Sequence, residues 1–73
     1  MELEFTFHAL KRMVEMSVSV TEVEDAVRRP EVDYATPRYG ATSRNAKKGR
    51  ITVAYDGNVV ITVLWNTQDN YKR

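Results

Sequence analysis

One histidine and one arginine, four residues apart, are the side chains of this sequence best suited to transfer a proton and to bind a phosphate. His8 is the only histidine, and Arg12 follows one helical turn later. Residues at this spacing lie side by side on a helix, so both can address the same phosphate or the same water. Imidazole readily exchanges a proton near neutral pH. The pair predicts acid–base chemistry at a phosphate; the other interpretation of His8 is an ordinary surface histidine.

A basic stretch in the second half of the chain is the next candidate. Residues 1–35 hold eight acids and four bases, whereas residues 36–73 hold seven bases and two acids. Lysine and arginine bind phosphates with release of counterions, and tyrosine rings stack on unpaired bases. The stretch therefore predicts RNA binding, and a solvated surface loop is the other interpretation. The predicted nucleic-acid-binding residues are Arg38, Arg44, Lys47, Lys48 and Tyr39.

Cleavage of RNA requires few chemical groups, and the chain contains candidates for each. A base must activate the ribose 2′-hydroxyl, a cation must stabilise the charge on phosphorus, and an acid must protonate the leaving oxygen. His8 could transfer the proton, and Arg44 or Arg50 could supply the cation. Thr52, Thr62 or Tyr55 could orient the substrate, although β-propensity alone also explains the two threonines.

Composition excludes several other classes of protein. Seventy-three residues suffice for one small domain, residues 1–73. The chain has no cysteine and one histidine, so disulfides and structural zinc sites are not expected, nor is any other cofactor. No apolar run approaches the roughly 20 residues of a membrane span, and the segment MELEFTF carries acids where a secretory signal carries bases. We therefore expect a cytoplasmic protein without a membrane partner.

Two short helices are predicted in the first half of the chain. Thr6 is a suitable N-cap for a helix over residues 6–16. Its apolar half is expected to dock on a sheet, and its polar half to face solvent. The apolar half comprises Phe7, Ala9, Leu10, Met13, Val14 and Met16; the polar half comprises His8, Lys11, Arg12 and Glu15. A capping box beginning at Thr21 predicts a second helix over residues 21–29, which Pro30 ends.

The remaining chain predicts a sheet. Residues 1–5 and 32–36 are expected to form short strands, and residues 38–49 could be a strand or an open loop. Residues 50–55 and 59–65 form the clearest hairpin. A three-residue loop that pairs Tyr55 with Val59 is preferred over a two-residue turn, because it gives a continuous apolar face. That face comprises Ile51, Val53, Tyr55, Val59, Ile61, Val63 and Trp65. The fold class is α+β, a two-helix hairpin on a small antiparallel sheet.

The segments FTFHALKRMVEM, TEVEDAVRRPE and GRITVAYDGNVVITVLW resemble a family of small bacterial and phage domains of unknown function. These domains look like compact relatives of RelE and ParE toxins, within the grouping of barnase-like, colicin-like and RelE-like nucleases. The similarity covers nearly the whole chain, and its most specific parts are HALKRM and VVITVLW. The resemblance implies that His8, Arg12, Arg50 and Thr62 are the catalytic residues.

The same resemblance implies a function and its partners. It points to a small metal-independent endoribonuclease of toxin type, from a toxin–antitoxin pair, a phage or a mobile element. RNA would be the substrate, and an antitoxin or a host protein would be the protein partner; an oligomer is also compatible with it. ParE-like members act by binding a protein instead. The alternative is therefore a non-catalytic module that binds a host protein or nucleic acid.

Overall fold

The computed structural model describes residues 2–68. Tyr71, Lys72 and Arg73, which the sequence offers as possible contributors to the basic surface, lie outside this range. Two helices, α1 (Phe7–Met16) and α2 (Val20–Arg28), pack on a five-stranded sheet. The strands are β1 (Glu4–Phe5), β2 (Val32–Ala35), β3 (Arg44–Lys48), β4 (Ile51–Asp56) and β5 (Val59–Trp65). The predicted α+β fold is confirmed.

The sheet differs from the prediction in its first strand. Its order is β1-β5-β4-β3-β2, and all neighbours are antiparallel except β1 and β5, which run parallel. The sheet is therefore mixed rather than purely antiparallel. The undecided region between residues 38 and 49 contains a 3₁₀ turn, Pro37–Tyr39, and then strand β3. Neither helix in residues 2–68 is long and apolar enough to cross a membrane.

The two helices begin at side-chain caps. The Thr6 hydroxyl accepts a hydrogen bond from the Ala9 N–H, as predicted. The second helix begins one residue earlier than predicted, because Ser19 is its cap and accepts from the Glu22 N–H. Ser19 and Glu22 have the spacing of a capping box, but the Glu22 carboxylate binds an arginine instead of closing the box.

Both helices cover the same face of the sheet, where the core lies. At its centre the apolar side chains of α1 and α2 meet those of β4 and β5 without exposed surface. The core residues contributed by the helices are Ala9, Met13, Met16, Val23, Ala26 and Val27; those from the central strands are Ile51, Val53, Val60 and Val63. The central hairpin thus forms the sheet side of the core, as the sequence indicates.

The register of that hairpin was predicted wrongly. A two-residue turn pairs Asp56 with Val59, and Gly57 in this turn has a φ of 59°. Such a turn alone would place Thr62 on the core face. A β-bulge at Ile61 adds one residue to β5, so that Val63 lies opposite Val53 and both are buried. Val60 rather than Ile61 therefore enters the core.

The apolar half of α1 also divides differently from the prediction. Ala9, Met13 and Met16 are buried, but Phe7 and Val14 are 84% and 80% exposed. A helix lying on a sheet buries only one stripe of its surface. Within residues 2–68 nothing covers the outer side of α1, so the apolar positions there face solvent.

Candidate nucleic-acid interface

The sheet face opposite the helices, called the open face below, carries two rows of polar side chains. Successive residues of a strand point to opposite faces, so the neighbours of the core residues define it. One row crosses four strands as Tyr34, Asn45, Ala54 and Thr62; the next row reads Val32, Lys47, Thr52 and Leu64. Neither helix lies on this side. The central residues of the open face, Asn45, Thr52, Ala54 and Thr62, are at most 6% exposed.

Two buried polar atoms in the first row have no hydrogen-bond partner among the described residues: Asn45 Oδ1 and Thr62 Oγ1. Their residues are only 6% and 3% exposed. The Asn45 amide donates to the Tyr34 hydroxyl at 3.1 Å, and turning the amide over would leave its nitrogen unpartnered instead. Buried groups of this kind each cost about 1–3 kcal/mol. Between them lies Ala54, which is itself fully buried.

The second row supplies a positive charge beside the first row. Lys47 Nζ donates to Thr52 Oγ1 at 3.1 Å and to Asn66 Oδ1 at 3.5 Å. The Thr52 hydroxyl also donates to Asn66, whose amide in turn donates to the carbonyl oxygen of Gly49. This network holds the ammonium group over the open face. The row therefore offers a positioned cation, and the first row offers unsatisfied hydrogen-bonding groups.

Most of the predicted phosphate-binding cations are paired with acids from the first half of the chain. Arg44 Nε lies 2.6 Å from Asp33, and Lys48 Nζ lies 2.8 Å from Asp25. The hydrogen bond from Lys48 lowers the pKa of Asp25, and the bond to Asp33 raises the pKa of Arg44. The charge asymmetry of the sequence is thus largely neutralised within the fold.

Arg50 makes the most extensive of these pairs. Its guanidinium contacts both carboxylate oxygens of Glu22 at 2.9 Å, donates to the Ser17 carbonyl at 3.3 Å, and lies 5.2 Å from the centre of the Trp65 ring. These contacts link α2 and the end of α1 to the central hairpin. Hydrogen bonding from Arg50 lowers the pKa of Glu22, and the same contact raises the pKa of Arg50.

This pair makes stability depend on pH in a defined direction. Because the folded-state pKa of Glu22 lies below its usual value of 4.5, the stabilisation is full above pH 4.5 and is lost as the pH falls through the folded pKa. Glu22→Gln should lower the free energy of unfolding by about 0.2–1 kcal/mol near neutral pH, since both side chains are partly solvated. Urea unfolding should show this difference disappearing in acid. Glu24→Gln, which removes a carboxylate of the same helix that does not bind Arg50, is the matched control.

A second contact, which is partly buried, fixes the other end of the sheet. The Tyr55 hydroxyl donates to Asp33 at 2.6 Å. Burial, together with this carboxylate, raises the pKa of Tyr55 to about 12. The phenol therefore keeps its proton through the neutral range. It acts as a hydrogen-bond donor to Asp33 and not as a base.

The four predicted catalytic residues do not form one cluster: two are on α1, one is on the open face, and one is paired with Glu22. His8 is exposed on α1, and within residues 2–68 it makes no hydrogen bond or ion pair. Arg12 Nε donates to the Val63 carbonyl of β5 at 3.3 Å, and its guanidinium lies 3.5 Å from Glu15. Thr62 precedes Val63 but points to the open face. The structure thus brings Arg12 and Thr62 to neighbouring positions of β5, and it places Arg50 in a separate cluster with Glu22.

The predicted nucleic-acid-binding residues are also divided. Lys47 lies on the open face, whereas Arg44 and Lys48 alternate with it and point to the helix side. Arg38 is exposed in the 3₁₀ turn, with its guanidinium 6.0 Å from the centre of the Tyr39 ring. The five residues therefore do not form one continuous patch.

A family model, that of a domain of unknown function (DUF4258), matches the chain over residues 5–72. The chain belongs to the DUF4258 family. The match covers both helices, the central hairpin and the open face. It confirms the resemblance to a family of unknown function and does not connect that family with RelE or ParE toxins. Comparisons with curated proteins and with solved structures find no match.

Sequence reasoning missed two polar residues of this DUF4258 domain that contribute to the open face: Asn45 and Asn66. Asn45 lies in a segment that the sequence leaves undecided between strand and loop. Alternation along β3, where Asn45 and Lys47 flank the buried Ala46, was the available signal. It became informative only once β3 was paired with β4.

The two threonines of the open face should respond oppositely to loss of the hydroxyl. Thr52→Val removes a hydroxyl bonded to Lys47 and Asn66, and should lower the free energy of unfolding by about 1 kcal/mol. Thr62→Val removes an unpartnered hydroxyl and should leave stability unchanged or raise it. Urea unfolding of the two variants tests this difference. Equal destabilisation would mean that the Thr62 hydroxyl contributes to the fold.

Proposed function

We propose that this DUF4258 domain binds single-stranded RNA across the open face of its sheet. The observation that carries the proposal is the pair of buried, unpartnered groups on Asn45 and Thr62, next to the positioned ammonium of Lys47. A ligand that donates hydrogen bonds to these groups recovers the free energy that the isolated domain loses by leaving them unsatisfied. The ammonium group selects ligands that also carry negative charge.

RNA provides the groups that this surface lacks. Its 2′-hydroxyl and base N–H groups can donate to Asn45 Oδ1 and Thr62 Oγ1 once the side chains that bury these two atoms move aside, and its phosphates can accept from Lys47. Unpaired bases can stack on Tyr34, which ends the first row. A single strand fits better than a duplex because a sheet presents a shallow surface on which splayed bases lie flat.

Fluorescence anisotropy with a labelled RNA oligonucleotide and the DNA of the same sequence tests the proposal. Since the 2′-hydroxyl distinguishes the two, wild-type protein should bind the RNA more tightly, and Thr62→Val should reduce that preference. Equal affinity for RNA and DNA, unaffected by Thr62→Val, would contradict binding at the open face.

The second candidate function is metal-independent RNA cleavage, as expected of a toxin-type endoribonuclease from a toxin–antitoxin pair, a phage or a mobile element. The observation that favours it is the position of Arg12 on the backbone of Val63, directly after Thr62. An RNA strand that leaves the open face over the edge of β5 would meet the Arg12 guanidinium and then His8, one helical turn away. Such a role is consistent with a cytoplasmic protein whose activity an antitoxin controls.

The chemistry of this second candidate balances without a metal. The 2′-hydroxyl loses its proton to a water molecule, its oxygen attacks phosphorus, and the bond to the 5′-oxygen breaks, leaving a 2′,3′-cyclic phosphate and a free 5′-hydroxyl. His8 would transfer the proton to the leaving 5′-oxygen, and Arg12 would stabilise the charge on the phosphate. Digestion of RNA in excess EDTA by wild type and by His8→Ala tests this second candidate.

A further inference from the structure

The outer edge of β5 is only partly occupied by another strand. β1 pairs with Val59 and Val60 and then turns into α1, so within residues 2–68 the rest of β5 has no strand beside it. The space beside β5 beyond the end of β1 is called the open lane below. It runs along the last four residues of β5, from Thr62 to Trp65.

Backbone groups of β5 point into the open lane. In an antiparallel pair, alternate residues direct their N–H and C=O groups toward the partner and away from it. The Asn66 N–H bonds to Arg50 at the inner side, whereas the Val63 carbonyl accepts from Arg12 at the outer side. Val63 therefore also directs its N–H into the lane. The Ile61 carbonyl, next to the lane, accepts from the Thr6 hydroxyl at 2.8 Å.

These side-chain contacts protect an edge that would otherwise pair with another chain. Charged side chains placed over a strand edge are a known means of preventing such pairing. The Arg12 contact with Val63 is long at 3.3 Å, and its ion pair with Glu15 is also long at 3.5 Å. A carboxylate beside the lane can therefore compete for the guanidinium of Arg12.

The two sides of the lane differ in chemistry. On the helix side lie the guanidinium of Arg12 and, over the Trp65 ring at the far end, that of Arg50, which is already paired with Glu22. On the other side lies Leu64, which shares the open face with Thr52. A second copy of this chain would bring its own Arg12 against Arg12, so like charges disfavour it. A strand with acidic and apolar residues in alternation fits both sides.

We propose that the open lane binds an extended peptide of a partner protein, with alternating acidic and apolar residues, as a sixth strand of the sheet. Its backbone pairs with the outer groups of Val63. Its carboxylates bind Arg12, which leaves the Val63 carbonyl, and its apolar side chains pack on Leu64. This surface is separate from the two polar rows, and the proposal does not depend on RNA binding.

Nuclear magnetic resonance with ¹⁵N-labelled protein and a synthetic peptide tests the proposal. The probe is an acetylated, amidated hexapeptide with the sequence Glu-Val-Glu-Val-Glu-Val, and the control peptide has lysine in place of glutamate. The acidic peptide should shift the Val63 amide resonance saturably and slow its hydrogen exchange, and the basic peptide should do neither. Resonance shifts confined to Phe7, Leu10 and Val14 would overturn the proposal, because they place the peptide on α1.

Two charge variants on the same helix make the test specific. Arg12→Gln keeps a donor for the Val63 carbonyl but loses the charge, and should weaken peptide binding about fivefold, the equivalent of an ion pair of about 1 kcal/mol. Lys11→Gln removes one charge elsewhere on α1 and should leave binding unchanged. Equal effects of both variants would reduce the interaction to general charge attraction and overturn the proposal. Protection of the Val63 amide by raised protein concentration alone would also overturn it, in favour of a second copy.

Discussion

If the domain cleaves RNA as proposed, His8→Ala should lower the rate of cleavage by roughly 10²- to 10⁴-fold, the usual effect of removing a general acid or base. The expectation follows from the position of His8, which is exposed one helical turn before Arg12 and is the only imidazole in the chain. The fold should be unaffected, because the side chain contributes nothing to the core. The measurement is digestion of a labelled RNA in excess EDTA by wild type and variant.

Two controls decide how a loss of cleavage is interpreted. Lys11→Ala removes the neighbouring exposed side chain of α1 and should cut RNA at the wild-type rate. EDTA should not inhibit wild type, because one histidine and no cysteine are too few strong ligands for a transition metal. Inhibition by the chelator would contradict the metal-free mechanism. Cleavage by folded His8→Ala at the wild-type rate would contradict the role of His8.

A further outcome is that wild type itself does not cleave RNA. The domain would then be a binding module, and the anisotropy measurement would still report on the open face. Binding and cleavage are therefore assayed separately, with cleavage followed by gel and binding followed by anisotropy on the same oligonucleotide. A protein that binds but does not cut supports the first proposed function and excludes the second.

The double variant Lys47→Gln, Thr62→Val should lower RNA affinity by about 100-fold. Losing one charge-assisted contact costs about 1.5–3 kcal/mol and losing one neutral hydrogen bond about 1 kcal/mol, and each 1.4 kcal/mol is tenfold in affinity. Glutamine keeps a donor for Thr52 and Asn66, and valine matches threonine in shape, so both changes leave the sheet intact. The slope of log affinity against log salt should become shallower by about 0.7 for the phosphate contact removed.

The control for this prediction is Arg44→Gln. It removes a cation of the same strand, β3, whose side chain lies on the helix side of the sheet. Arg44 is paired with Asp33, so its loss should change RNA affinity little. If Arg44→Gln, Lys48→Gln and Arg38→Gln each weakened binding as much as Lys47→Gln, the basic stretch as a whole would bind RNA. That outcome would favour the interpretation from charge pattern over the one from the open face.

Features that depend on neighbouring residues could be predicted from the sequence. The Thr6 cap, the two helices and the central hairpin all follow from local periodicity and turn residues. The α+β class follows from them, because two helices with narrow apolar stripes need a sheet to cover. The start of α2 was wrong by one residue because Ser19 and Thr21 are both acceptable caps, and the sequence does not choose between them.

Features that depend on pairing across the chain were decided by tertiary structure. The bulge at Ile61 allows the two-residue turn and the continuous apolar core to occur in the same hairpin. It also places Thr62 on the open face. The exposure of Phe7 and Val14 reflects where α1 lies on the sheet, which helical periodicity does not specify.

The fate of the charges shows the same distinction. Summed along the chain, the second half is basic, and this balance predicts a polyanion partner. In the fold, Glu22, Asp25 and Asp33 meet the cations of residues 50, 48 and 44, so the cations are neutralised where they lie. The sequence by itself determined the two helices, the central hairpin and the number of charges along the chain. Only the tertiary structure decided which charges and polar groups face each other, because strand register and helix placement are set by contacts between residues far apart in the chain.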